Sequence, residues 1–255
     1  MLSADLACAL DPVRLARRVG MEPDPWQADL LRSDARQTIL NCSRQSGKST
    51  TTAVLATHEA EYRDGSLILL LSPSLRQSQE LFRKVRDVRA ELGPDACPVA
   101  EESALRVELA NGSRIVCLPG KEATIRGYSG VGLLVVDEAS RVPDDLYQAV
   151  RPMLAVSGGR LVLLSTPFGT RGFFHHEWTE GGPGWKRVQV TAHDCPRIPP
   201  EWLQAERESI GEWWYRQEYG CEFVETLEQV FGYELVTEAV DHALQPLFGG
   251  WKCTD

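Results

Sequence analysis

The chain has 255 residues, 43% apolar and 25% charged, which is enough to bury a sizeable core and ordinary for a soluble globular protein. Its formal net charge of -9 argues against bulk attraction to nucleic acid, so any such contact has to be local. Seven cysteines without a Cys-x-x-Cys pair signal neither a zinc site nor a disulfide framework and favour a reducing compartment, while no apolar run reaches membrane-spanning length and no secretory pattern opens the chain.

The first strong element is the apolar run Thr38-Ile39-Leu40-Asn41-Cys42. It gives way through Ser43-Arg44-Gln45-Ser46-Gly47-Lys48-Ser49-Thr50 to the helix-prone Thr51-Thr52-Ala53-Val54-Leu55-Ala56. A strand, a tight loop ending in Gly-Lys-Ser and then a helix make an anion trap, because backbone N–H groups and the helix N-terminus converge on one point. Phosphate is the expected guest. In the usual nucleotide-binding pattern the lysine reaches the β and γ phosphates and the next hydroxyl ligates Mg2+, roles that fall to Lys48 and Ser49. The match departs at one position, since Cys42 stands where a glycine is expected, five residues before Gly47.

Ser66 to Ser72 reads as a buried strand, and Ser74 with Gln77 three residues on is a capping-box start for a helix running to about Leu92. Leu81, Phe82, Val85, Val88 and Leu92 form the core stripe of that helix. Arg76, Arg83, Lys84, Arg86 and Arg89 decorate the rest, the densest basic segment of an acidic chain and the first candidate for touching a phosphate backbone. Leu105 to Leu109 and Arg114 to Leu118 flank Asn111-Gly112, a hairpin signal in which both turn positions need positive φ. The hairpin reads as an insertion without chemistry.

Val131 to Val136 is an unbroken apolar run that ends in Asp137-Glu138, as for a parallel strand buried on both faces. Ligands of open α/β sheets bind at the carboxyl ends of strands, so the pair is expected to face the crevice of Lys48 from a neighbouring strand. Asp137 then holds the Mg2+ shell and Glu138 orients or deprotonates the water that attacks the γ phosphate. Pro143 to Ala155 reads as a helix and Arg160 to Ser165 as another buried strand, closing in Ser165-Thr166-Pro167. Two readings of those hydroxyls stay open: sensing the γ phosphate, or strand termination by proline. From Pro196 onward, prolines and then Trp202, Trp213, Trp214, Tyr215, Tyr219 and Phe223 suggest a small helical subdomain whose aromatic residues form its core. Alternating strands and helices give an α/β chain with a wound, mostly parallel sheet flanked by helices.

Taken together, Pro25-Trp26-Gln27, Ser-Arg-Gln-Ser-Gly-Lys-Ser, Leu-Leu-Val-Val-Asp-Glu-Ala, Ser-Thr-Pro-Phe-Gly and the late Glu-Tyr-Gly-Cys-Glu-Phe resemble the ATPase half of a tailed-phage terminase large subunit. The resemblance runs from about Trp26 to Phe231. It implies a P-loop ATPase core of the ASCE type over residues 1–195, with a lid and the start of a linker over 196–255. It also implies Mg2+-dependent ATP hydrolysis that packages double-stranded DNA into a preformed capsid in the host cytoplasm. Implied partners are DNA, further copies of the chain in a ring on a capsid portal, and a small terminase subunit; no membrane is implied. By the same resemblance Trp26, Gln27 and Ser43 to Thr50 contact ATP, with Gln27 reading the adenine edge. Arg44 senses the γ phosphate, Ser165 and Thr166 couple hydrolysis to movement, and Arg126 acts as a finger reaching a neighbouring subunit's ATP. Such fingers are worth about 10³ to 10⁵ in rate.

Family members normally continue into a nuclease domain, and this sequence stops near where it would begin, so no DNA cleavage is expected and a fragment is suggested. Two rival readings share several elements: a helicase or other DNA-remodelling ATPase, and a nucleotide-binding module without turnover.

Overall fold

The computed structural model of the chain describes residues 2–120 and 127–225. Three helices come first: α1 (Leu2–Leu10), α2 (Pro12–Arg18) and α3 (Pro25–Arg32). The central layer then alternates β1 (Gln37–Cys42), α4 (Lys48–Tyr62), β2 (Leu67–Ser72) and α5 (Leu75–Leu92), followed by β3 (Val99–Glu102), β4 (Arg106–Leu109) and β5 (Arg114–Pro119). Further along come β6 (Val131–Asp137), α6 (Asp144–Val150), β7 (Arg160–Ser165), α7 (Gly172–Thr179), β8 (Lys186–Val190), α8 (Pro200–Ile210) and α9 (Glu212–Glu218).

The sheet runs β3-β4-β5-β2-β6-β7-β1-β8, with all pairs from β5 to β8 parallel and only β3-β4 and β4-β5 antiparallel. Strand alternation explains the two layers of core. Leu40, Ile68, Leu70, Leu133, Val135, Val162 and Leu164 enter one cluster beneath α4 and α5. Their neighbours Ile39, Leu67, Leu69, Leu71, Leu134, Val136, Leu161 and Leu163 enter another with α6 and α7. Continuous apolar runs are required because both faces are covered. On α5 the expected stripe of Leu81, Phe82, Val85, Val88 and Leu92 is buried, and the Ser74 hydroxyl caps the helix by accepting from Gln77 N–H.

Several expectations need correction. The hairpin is no insertion: β5 joins the main sheet, paired parallel with β2 from Leu67↔Arg114 to Ser72↔Pro119. Its turn also differs, because only Gly112 takes positive φ (79°). Asn111 instead donates from its amide to Ala60 O (2.9 Å) and accepts from Ser113 N–H (3.0 Å). The segment read as one helix from Pro143 to Ala155 is α6 followed by a 3₁₀ turn, Arg151–Leu154, since Pro152 has no N–H to continue the ladder. Finally, β1 and β6 are not neighbours. β7 lies between them.

That intervening strand leaves little room where it begins. A Cβ on Gly159 would lie 2.0 Å from Val131 O and 2.9 Å from Gly132 O, both rigid backbone of the adjacent strand. Gly159→Ala is therefore expected to lower stability by about 3 kcal/mol, read by denaturant unfolding. A cost below about 0.5 kcal/mol would show that the two strands separate freely here.

Beyond β8, Leu203, Tyr215 and Tyr219 gather on Ala192 in a small cluster of their own. The aromatic residues divide: Tyr215 and Tyr219 are buried as expected of a core, whereas Trp202 and Trp214 stay 43% and 42% exposed.

Candidate functional site

At the carboxyl end of β1 the chain turns through Ser43 to Gly47 into α4. Cys42, in the position where a glycine is expected, is fully buried in the core, and burial pushes its thiol up to about 12, out of reach of ordinary reactivity. The turn is made further along, by Gln45 (φ 61°) and Gly47 (φ 92°). At Gly47 a side chain would also collide, its Cβ standing 2.7 Å from Gln27 Nε2. Ser46 ties the loop to itself, its hydroxyl donating to Ser43 O (2.9 Å). Lys48, 8% exposed, folds back over the loop and donates to Ser43 O (2.9 Å), Cys42 O (3.3 Å) and Thr166 Oγ1 (3.2 Å). An ammonium whose acceptors are neutral oxygens is placed to exchange them for a stronger, anionic acceptor.

The acidic pair ends β6. Asp137 is 6% exposed and accepts from the Ser49 hydroxyl at 3.3 Å. Burial first, then the neighbouring Glu138, raises its carboxyl to about 6, against the pull of Lys48 and Ser49. Glu138 adopts a left-handed backbone (φ 52°, ψ 44°), an uncommon state for a residue with a side chain, and its N–H donates to Asp137 Oδ1 (3.1 Å). Glu138 also stands at the start of a 3₁₀ turn, Ala139–Arg141, without a side-chain hydrogen bond that caps it. Because β7 sits between β1 and β6, its end enters the site directly. The Ser165 hydroxyl lies 3.5 Å from Glu138 Oε2 and 2.8 Å from the Ser140 hydroxyl, while Thr166 meets Lys48.

These groups open on one cleft of about 510 Å³, lined by Arg44 to Thr50, Lys84, Glu138, Arg141, Thr166 and Glu218 among others. Arg44 turns its guanidinium to the carboxylate of Glu218, and its N–H donates to Glu218 O (3.1 Å). Beneath the loop, Gln27 is 2% exposed: its carbonyl accepts from Asp24 N–H (2.8 Å) and its amide donates to Ser46 O (3.4 Å). Arg197 donates to the same Ser46 O (3.2 Å) and grips Asp24 with both arms (2.8 and 2.7 Å). Trp26 packs partly buried against the core beside them. Sequence reasoning missed Arg197 and Arg141, which no local pattern marks, and it read Lys84 as one of a basic helix face that touches a phosphate backbone rather than as a wall of this cleft. Arg126 lies outside the described residues.

A hydroxyl and a carboxylate 3.3 Å apart, both hard oxygen donors at the mouth of a loop made for anions, fit Mg2+, which takes one or two protein oxygens and keeps its remaining positions for water and phosphate. Ser49 and Asp137 would hold it. Without a cation, Asp137 is a liability. A carboxyl whose pKa rises from 3.8 to about 6 on folding stabilises the fold below pH 3.8, and that contribution is lost as pH climbs through about 6. The loss is about 3 kcal/mol. Asp137→Asn is therefore expected to stabilise the metal-free chain at pH 8 and to have little effect at pH 4, as read by urea unfolding at the two pH values. Equal effects at both would contradict the shift.

The fold and the site define a P-loop domain of the ASCE type, with an extra strand between the loop strand and the acidic strand. Residues 39–238 match the family described as terminase large subunit, T4likevirus-type, N-terminal, and the chain belongs to that family. It is similar to the terminase large subunit of Thermus virus P23-45, 28% identical over 247 residues that cover 84% of this chain and 51% of that protein. The chain spans about half the length of the curated relatives with the widest matches. Among solved structures it is similar to the Thermus phage P74-26 large terminase ATPase domain, with a TM-score of 0.73, 25% identity, and coverage of 82% of this chain and 97% of that one. The large terminase of another thermophilic bacteriophage, solved in complex with ATP-gamma-S, shares the fold, with a TM-score of 0.64, 13% identity, and coverage of 79% and 53%.

Proposed function

We propose that this chain hydrolyses ATP with Mg2+ and that hydrolysis drives double-stranded viral DNA into a procapsid, with copies of the chain in a ring on the capsid portal, served by a small terminase subunit in the host cytoplasm. The observation that carries the reading is that Lys48, Ser49, Glu138 and Thr166 line one cleft at the carboxyl ends of β1, β6 and β7, with the buried Asp137 bonded to Ser49 behind them. Family membership and the ATP-gamma-S bound by the thermophilic-phage terminase support it.

In the proposed cycle the amides of Ser43 to Thr50 cradle the phosphates. Lys48 exchanges the carbonyls of Cys42 and Ser43 for phosphate oxygens. Mg2+, when bound, offsets charge on the β and γ phosphates. Glu138, held near Ser165, accepts a proton from the attacking water. Arg44 reaches the γ phosphate from the loop. For Gln27 to read adenine, its amide gives up the long bond to Ser46 O, with Trp26 backing it. Movement starts at Thr166: when Lys48 turns to phosphate, its bond to the end of β7 breaks, and Ser165 and Thr166 pass the change along the strand. The lid of this unit begins at about residue 196, beyond β8.

Arg126 is proposed to complete the site of an adjacent copy. Mixing Lys48→Ala chains with Arg126→Ala chains, each inactive alone, is then expected to restore part of the DNA-stimulated phosphate release, because some interfaces pair an intact loop with an intact arginine. No recovery at any ratio would place Arg126 outside an intersubunit role, and no ATP turnover by the parent chain with Mg2+ and DNA would remove the enzymatic reading.

A further inference from the structure

The basic residues of α5 read in sequence as one group, the first candidate for touching a phosphate backbone, but the fold separates them. Arg83 pairs with Glu80, Arg86 with Glu102 (2.9 Å), and Arg89 with the buried Glu61 (2.8 Å). Their charges are matched within the chain. Lys84 is treated differently. Among the described residues it makes no ion pair, and its ammonium turns inward to donate to Thr50 Oγ1 at 3.0 Å, in the wall of the same cleft as Lys48. Gln77, two turns earlier on the same stripe of α5, lines the cleft with it.

An ammonium has three donors, and a half-buried one given a single neutral acceptor is electrostatically under-used. The other cations of the cleft have partners: Arg44 faces Glu218, Arg141 stacks on the Phe168 ring at 4.1 Å, and Lys48 is spread over three oxygens. Thr50 lies in the first turn of α4, directly after the loop whose amides converge on the anion position. Lys84 Nζ therefore stands in the wall of the cleft that holds that position, on a flexible stem free to exchange Thr50 for an anionic oxygen.

We infer that Lys84 is a phosphate ligand of the bound nucleotide, delivered by α5 from outside both nucleotide motifs. The inference rests on reading this cleft as the ATP site. It also gives α5 a direct sense of occupancy, since one helix would hold the nucleotide at Lys84 while presenting Arg76, Arg83 and Arg86 outward.

The test uses the full chain, with MgATP and inorganic tripolyphosphate as separate probes in equilibrium titrations and with thermal melting of the ligand-free chain. Lys84→Met is expected to weaken both ligands about tenfold, the scale of one charge-assisted hydrogen bond, while leaving the melting temperature unchanged. Lys84→Arg should recover most of the affinity, and Arg83→Met should leave it unaltered. Unchanged affinity in Lys84→Met, when the parent binds both probes, would overturn the assignment. A lowered melting temperature with unchanged affinity would overturn it too, by showing the Thr50 bond to be packing alone. Failure of the parent to bind either probe would instead overturn the ATP reading itself.

Discussion

Glu138→Gln is expected to abolish ATP turnover while ATP binding persists. Glutamine keeps the length of the side chain and can still accept from the Ser165 hydroxyl, which sits 3.5 Å from Glu138 Oε2. It cannot take a proton from water. General-base catalysis is worth about 10² to 10⁴ in rate, so phosphate release should fall by at least the lower figure while the dissociation constant for MgATP moves little. The left-handed backbone of Glu138 is held by its own N–H to Asp137 and is unaffected by the exchange, which keeps the result a statement about chemistry. Activity equal to the parent's would move the base elsewhere, and joint loss of binding and turnover would make Glu138 structural.

Lys48→Ala should act one step earlier, at binding. Its ammonium stands nearly enclosed among Cys42 O, Ser43 O and Thr166 Oγ1, close enough to Asp137 to oppose the rise that burial imposes on that carboxyl. Removing it takes the positive charge from the centre of a cleft that also contains Glu138 and Glu218. A charged contact to phosphate is worth about 1.5 to 3 kcal/mol, and here the repulsion from uncompensated carboxylates adds to its loss. MgATP affinity is expected to drop about 100-fold or more by titration. Affinity within about twofold of the parent would mean that the triphosphate does not lie over the loop.

Much of this was legible in sequence, for physical reasons that also mark the boundary. β2, β6 and β7 announce themselves because strands covered on both faces must be apolar throughout, and α5 because its buried stripe repeats at the helical period. Lys48, Ser49, Asp137 and Glu138, which the fold brings together, stand out in sequence because they sit in short contiguous patterns. β8 was not, since Lys186, Arg187 and Gln189 on a half-exposed edge strand break any alternation. The Asn111-Gly112 signal placed a turn but not its conformation, since only Gly112 takes positive φ, and it could say nothing of the parallel pairing of β5 with β2, which depends on what lies beside it in space. The same limit hid β7 between the two motif strands, although its position is what brings Thr166 onto Lys48. Arg197 holds Asp24 across 173 residues and Lys84 meets Thr50 across 34, so no window of sequence contains either pair.

The most direct measurement is a structure of the chain with Mg2+ and a non-hydrolysable ATP analogue. The account predicts the triphosphate over Ser43 to Thr50, Lys48 released from the carbonyls of Cys42 and Ser43 and bound to phosphate, the metal on Ser49 and Asp137, and a water beside Glu138. A nucleotide bound elsewhere, with Lys48 still on those carbonyls, would contradict it.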